Sequence, residues 1–358
     1  MIVSDILKVF IPATAAFVIG IALAPILTHY LFKYKIWKKK AGKTAMDGTP
    51  ALEFERIRNT IHTGTETATP RMGGILIWFT VAFVTFGIWI LSQTLSSPFF
   101  DKIDFLSRSQ TWMPLFTLLA GALIGLVNDV LDIHPSGERG LRLRTRLLFV
   151  TLISSFVGWW FYVKLGIDSI GIPGHGTLFL GALIVPLFIV VSIGLYAGGV
   201  IDGIDGLAGG VFSTAFIAYA GIAYFQNQNN LAAFCATLTG AILAFLWFNI
   251  PPARFWMTET GTMGLTLTLA VIAFLTDTLG NGYGIAALPI IALPLVITIL
   301  SNLIQVSSKK LRGKKVFRIA PLHHHFEAIG WPSYKVTMRY WIISIMCAVI
   351  GVTIALFK

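Results

Sequence analysis

Charge is scarce in this chain. Only 12% of its 358 residues are Asp, Glu, Lys or Arg, about half the share carried by a water-soluble domain, and that shortage excludes an ordinary soluble globule. Intrinsic disorder is excluded by the converse property. With 56% hydrophobic residues and a mean hydropathy of +0.78, the chain is too apolar to stay open in water. Cysteine is nearly missing: Cys235 and Cys347 are the two, both inside apolar runs, so no disulfide framework is implied and packing accounts for them. Acidic residues are also few, 16 against 27 Lys and Arg, for a net charge of +11. In a soluble protein that imbalance suggests nucleic acid. In a chain this apolar it reports membrane topology, and no nucleic-acid partner is expected.

What the chain has instead is long apolar runs, near residues 4–32, 72–93, 111–128, 147–165, 177–197, 208–225, 231–250, 262–279, 284–306 and 339–357. A helix crosses a bilayer with ~20 residues, so the pattern predicts an all-α, polytopic integral membrane protein of about ten transmembrane helices. The first run is too long for a cleaved signal peptide and leads straight into Lys33, Lys35, Lys38, Lys39 and Lys40, which argues for a retained span. Joining the spans in order places 22 of the 27 Lys and Arg on one face and leaves Lys8, Lys102, Arg108, Lys164 and Lys358 on the other. Positive charge concentrates in cytoplasmic loops. The basic face is therefore predicted to be cytoplasmic, with both termini outside. Residues 1–358 read as a single transmembrane domain with cytoplasmic catalytic loops near 33–71, 128–146, 198–207, 250–262 and 307–338.

Asp129, Asp132, Asp202, Asp205 and Glu259 all fall at the basic ends of predicted spans. One carboxylate there is explained by headgroups or a neighbouring arginine; five on one side point to function. In Val200–Gly210, Asp202 and Asp205 are three residues apart and share a face on a helical turn, while Gly203 lets backbone approach a ligand closely. Such paired carboxylates suit Mg²⁺, which takes hard oxygen ligands and keeps phosphate oxygens in its shell. Gly209 and Gly210 are as well explained by helix packing. Asn128-Asp129-Val130-Leu131-Asp132 precedes Arg139, Arg142, Arg144 and Arg146, a setting for a metal and an anionic substrate, although anionic lipid explains some of the arginines. Asn249–Gly261 offers an amide, Glu259 and aromatics able to stack on a base. Ala320-Pro321-Leu322-His323-His324-His325-Phe326-Glu327 sits beside a lysine cluster, which favours phosphate recognition or proton transfer over zinc, because three consecutive residues cannot all face one metal from a helix.

These motifs, with Thr69-Pro70-Arg71-Met72-Gly73-Gly74, Phe245–Asn249, Gly330-Trp331-Pro332 and Arg339–Ser344, resemble the polyprenyl-phosphate N-acetylhexosamine-1-phosphate transferase superfamily. Within it the chain resembles most the phospho-N-acetylmuramoyl-pentapeptide-transferase family, from about residue 66 to the C-terminus. The aspartate motif belongs to the superfamily and the triple-histidine block to this branch. The resemblance implies a Mg²⁺-dependent transfer of phospho-MurNAc-pentapeptide from its UDP carrier to undecaprenyl phosphate. Lipid I and UMP would form on the cytoplasmic face, made by a homodimer in the bacterial plasma membrane. It also implies roles by position. Asp129, Asp202, Glu259 and His323 would be catalytic, with Glu259 and Asp129 on the metal. Asp205, Gly203, Asn249, Trp256, Arg146, His324 and His325 would hold substrate.

Several positions depart from the family pattern. Asn128-Asp129 stands where two aspartates are usual, and Tyr196 and Gly199 where two asparagines are. Glu66 and Asp132 occupy lysine positions, Arg71 a threonine position, Arg146 a lysine position, and Glu259 replaces Asp. An amide at 128 cannot serve as a general base. The acceptor needs little help, since a phosphate monoester with a second pKa near 6 is mostly dianionic at neutral pH, and Asp129 is the alternative base. The rival readings are a sister enzyme using another UDP-N-acetylhexosamine, an inactive homologue that binds lipid or nucleotide, and a transporter. The last is disfavoured because its ionisable groups would lie near the bilayer midplane.

Overall fold

The computed structural model describes residues 2–37, 69–95, 97–134 and 140–357. The basic residues Lys38, Lys39, Lys40, Lys43, Arg56, Arg58 and Arg139, together with Glu66, lie outside the described residues. The architecture is helical: α1 (Ile2–Lys33), α2 (Ile75–Thr94), α3 (Pro98–Ile103), α4 (Trp112–Ile133), α5 (Leu143–Lys164), α6 (Ile184–Gly198), α7 (Leu207–Phe225) and α8 (Asn229–Asn249). Then follow α9 (Glu259–Leu275), α10 (Gly284–Ile291), α11 (Leu293–Arg312), α12 (Leu322–Ala328) and α13 (Ser333–Leu356). Among the described residues, eight helices are long and apolar enough to cross a membrane, or nine if the bent pair α10–α11 is one span. The remaining expected span is α9, 17 residues long, about 26 Å at helical rise.

Why α9 can be short is clear from its surroundings. Every residue from Thr260 to Leu275 is buried, so the helix is wrapped by protein, as expected for one that is apolar all round. Its buried threonines cause no polar deficit, since Thr266, Thr268 and Thr276 return their hydroxyls to carbonyls four residues back. The peripheral helices show the opposite pattern. On α13, Met338, Ile342, Ile345, Met346 and Val349 are exposed while Val336, Tyr340, Ser344, Cys347 and Gly351 are buried. Such a broad exposed apolar face suits hydrocarbon, not water.

The structure corrects several expected boundaries. The fifth run does not begin a helix at 177: β1 (Ser169–Ile172) and β2 (Gly176–Phe179) form an antiparallel hairpin, Ser169 opposite Phe179, turned by Gly174 and Gly176 at positive φ. The ninth run is broken at Ala292, where α10 and α11 meet at 65°. Pro289 and Pro294 flank the break and remove backbone donors there. The expected loop 128–146 is helical as far as Ile133. Much of the expected loop 307–338 is helix as well, in the end of α11, in α12 and in the start of α13, and Gly313 at φ 66 closes α11.

Candidate functional site

The site begins with two helices that touch through glycine. On α4, Gly121, Gly125 and Asp129 recur every fourth residue and share one face. A Cβ at Gly121 would lie 2.9 Å from Gly264 Cα, and one at Gly125 would lie 2.1 Å from Glu259 O, so only glycine lets α4 lie this close to α9. One turn further along, the fully buried Asp129 reaches the N-terminus of α9. Its Oδ2 accepts hydrogen bonds from Thr260 N at 2.8 Å, Thr260 Oγ1 at 2.6 Å and Thr258 Oγ1 at 2.5 Å. Asp129 thus caps α9 from a different helix, satisfying donors that a helix start leaves open. Its other oxygen, Oδ1, is buried without a hydrogen-bond partner, 3.8 Å from Arg71 Nη2.

Arg71 is held there by backbone. Trp256 N donates to Pro70 O, Gly73 N to Trp256 O, and Gly74 N to Met257 O, so residues 70–74 lie along 256–257. Met72 N donates to Thr258 Oγ1. Met72 and Thr258 both have positive φ, 66° and 56°, a strained backbone for residues with side chains. Arg71 Nη2 also lies 3.2 Å from Asp132 Oδ2. Arg71 and Asp132, two positions that the resemblance marks as departures, 61 residues apart in the chain, are therefore partners in space. Arg146, in the first turn of α5, pairs directly with Glu259 Oε1, and Tyr196 stands beside that pair.

The aspartate loop docks on the same strip. Asp202 Oδ2 accepts from Thr258 N at 2.7 Å. Asp205 accepts from Ala253 N and from Trp256 Nε1, both at 3.0 Å. The two carboxylates share a face as expected, turned to residues 253–258, although the loop at 202–206 is a turn and not helix. Burial pushes the Asp202 carboxyl up to about 6, opposed by the Thr258 N–H and the charge of Arg71. Asn249 accepts from Gly206 N and donates to Phe255 O. Asp205, Asn249 and the Trp256 indole N–H thus knit the loop together. Of the aromatics read as able to stack on a base, Phe255 is fully buried, with ring centroids 5.7 Å from Phe245 and 6.0 Å from Phe248. Its apolar ring has no polar handle to keep it at the surface, and Trp256 is half-buried.

On α12, successive side chains point about 100° apart, and the histidines divide accordingly. A Cβ at Gly203 would lie 2.7 Å from His323 Nε2 and 2.8 Å from His324 Nε2, so both rings press on the aspartate loop and need glycine there. His324 Nδ1 lies 2.7 Å from Glu327 Oε2, and Glu327 Oε1 accepts from Ser333 Oγ at 2.6 Å. His325 turns away: its Nδ1 accepts from Arg318 N, and burial with the charge of Arg318 moves its pKa down. Asn128 has a structural task, its Oδ1 accepting from Leu141 N at 2.9 Å. The residues not read as functional from sequence are Thr258, Thr260, Glu327 and Arg71. Each lies inside one of the sequence motifs, Arg71 in Thr69–Gly74, Thr258 and Thr260 in Asn249–Gly261 and Glu327 in Ala320–Glu327, but nothing local distinguished it from its neighbours.

Known proteins match the chain along nearly its whole length. A phospho-N-acetylmuramoyl-pentapeptide-transferase of Anoxybacillus flavithermus is 32% identical over 345 residues, 96% of each chain. The chain belongs to the phospho-N-acetylmuramoyl-pentapeptide-transferase family. The glycosyl transferase family 4 model matches residues 111–277, the stretch that holds Asp129, the aspartate loop and Glu259. Further members of the transferase family, from Geobacillus sp. and Levilactobacillus brevis, are 32% and 28% identical, covering 95% and 98% of this chain and 95% and 100% of their own. The chain is a multi-pass membrane transferase of peptidoglycan synthesis.

Proposed function

We propose that the protein transfers phospho-MurNAc-pentapeptide from UDP-MurNAc-pentapeptide to undecaprenyl phosphate, releasing lipid I and UMP, at the cytoplasmic face of the bacterial plasma membrane and as a homodimer. The observation that carries this reading is the convergence of Asp129, Asp202, Glu259, Arg71 and Arg146 at one end of an apolar helical bundle. An amphiphilic acceptor needs a site where lipid-facing surface ends, and a diphosphate donor needs fixed positive groups there.

In the reaction a phosphate oxygen of the acceptor attacks the sugar-bearing phosphorus, and the bond from that phosphorus to the bridging oxygen breaks. UMP leaves with that oxygen. The dianionic acceptor removes the need for a strong base, which accords with Asn128 serving the backbone of Leu141. Arg146 and Arg71 would stabilise charge on the transferring phosphoryl group. His323 and His324, with Gly203 between them and the aspartates, would line the donor side. Among the described residues no three His, Cys, Asp or Glu side chains gather closely enough to hold a metal. Mg²⁺ needs only one or two carboxylates when substrate phosphates complete its shell, and the orphaned, buried Oδ1 of Asp129 is a hard donor suited to it. Asp129 and Glu259 would hold the ion, which when bound would offset charge on the diphosphate.

Purified protein with undecaprenyl phosphate, UDP-MurNAc-pentapeptide and Mg²⁺ is expected to yield lipid-linked product and UMP. Wild-type protein that gives neither would sink the proposal. Preference for UDP-N-acetylglucosamine in a competition assay would replace the donor.

A further inference from the structure

Arg71 is the basic residue at the centre of this acidic cluster, yet its hydrogen-bonding capacity is only partly used. Nη2 alone makes the contacts to Asp132 at 3.2 Å and Asp129 at 3.8 Å. Nε is buried with no hydrogen-bond partner. Nε and Nη2 form one edge of the guanidinium fork, the edge that takes two oxygens of a carboxylate or phosphate side by side. Here neither carboxylate takes it in that manner. The buried Oδ1 of Asp129, 3.8 Å from Nη2, also has no hydrogen bond.

The backbone around Arg71 is fixed by Pro70, Gly73 and Gly74 lying along Trp256 and Met257, so the guanidinium is pre-organised, and its side chain keeps 18% exposure. Nε itself is covered, so an incoming anion reaches this edge by displacing a neighbouring carboxylate. Its charge also acts on Asp202, so it tempers the repulsion that a carboxylate cluster would otherwise present to an anion. Arg146 shares the unpartnered Nε, but its Nη1 is paired directly with Glu259.

We propose that Arg71 is a substrate-binding residue that grips a phosphate ester through its Nε–Nη2 edge, taking the place now held by Asp132. This rests on the transfer reaction proposed above, in which a phosphate ester must enter the site. The chemistry is shared by the acceptor's phosphomonoester and the donor's nucleotide phosphate, and the experiment separates them. Full-length protein in detergent, with EDTA present so that no divalent ion contributes, is titrated with UMP and separately with a polyprenyl phosphate. Wild type, Arg71→Gln, Arg71→Lys and Asp132→Asn are compared, with the melting temperature of each.

Arg71→Gln is expected to weaken one of the two ligands at least tenfold, and the ligand affected identifies the phosphate that Arg71 holds. Arg71→Lys should recover only part of that loss, since an ammonium lacks the fork. Asp132→Asn should leave the affinity intact or tighten it, because the competing carboxylate is gone. Equal affinity of wild type and Arg71→Gln for both ligands would overturn the proposal, and so would an Asp132→Asn variant as weak as Arg71→Gln, which marks a structural ion pair. If the wild type turns over its substrates but Arg71→Gln binds normally, this inference alone fails. If wild type binds neither phosphate and shows no turnover, the transfer reading fails with it.

Discussion

Asp277 and Asp129 sit near opposite ends of α9, each fully buried, yet their surroundings differ in kind. Asp277 accepts from Gly171 N at 2.6 Å and from Ile285 N at 2.9 Å, tying the β1–β2 hairpin to the start of α10. Both of its oxygens are filled by backbone. Asp129 spends one oxygen on capping α9 and leaves the other facing a guanidinium whose Nε is also unfilled. A buried carboxylate with every valence met closes loops. One with a valence left open inside a charged cleft is available for chemistry.

The sharpest way to break this contrast is Asp129→Asn, which keeps an oxygen for the Thr260 N–H but removes the charge. Turnover should fall about 100-fold or more while the melting temperature stays close to wild type; preserved turnover would place Asp129 with Asp277. The reciprocal change, Asp277→Ala, strands two backbone donors and should lower unfolding stability by about 3 kcal/mol. Turnover at a permissive temperature should be unchanged, and a lost kcat there would refute the purely structural role. Gly203→Ala tests the histidine wall. The added Cβ forces the tips of His323 and His324 aside, so turnover should drop about tenfold with little change in stability.

The smallest effect is one of pH. Asp202 in the folded chain titrates at about 6, above its unfolded value. The folded state therefore holds a proton there that the unfolded state has already released. Stability from this group is present at low pH and is lost as pH rises through about 6. Asp202→Asn lacks that loss, so its stability relative to wild type should grow from pH 4 to pH 8; a constant difference would show that burial does not govern this carboxyl. Asp277, raised to about 6 by burial, carries the same sign at the other end.

Much of the membrane architecture can be read locally. Apolar runs predict helices because each segment must meet its own backbone hydrogen bonds in hydrocarbon, and the runs at 208–225 and 231–250 match α7 and α8 within two residues. The short motifs also show which residue types gather: the aspartate pair, the arginines and the histidines were all visible. What no local pattern carries is which partner each one meets. The Arg71–Asp132 pair, the capping of α9 by Asp129 and the meeting of Gly203 with two histidines span 61 to 131 residues.

Composition and periodicity were thus enough to make this chain a helical membrane protein, because apolar burial is additive and local along a helix. Its motifs were enough to place it in a transferase family. Folding decided the rest. Glycine contacts between α4 and α9 draw Asp129 onto a helix N-terminus, and backbone pairing of residues 70–74 with 256–258 brings Arg71 beside it. Those contacts depend on helix separation and crossing, which are set by side chains on several helices at once and cannot be read from any one of them.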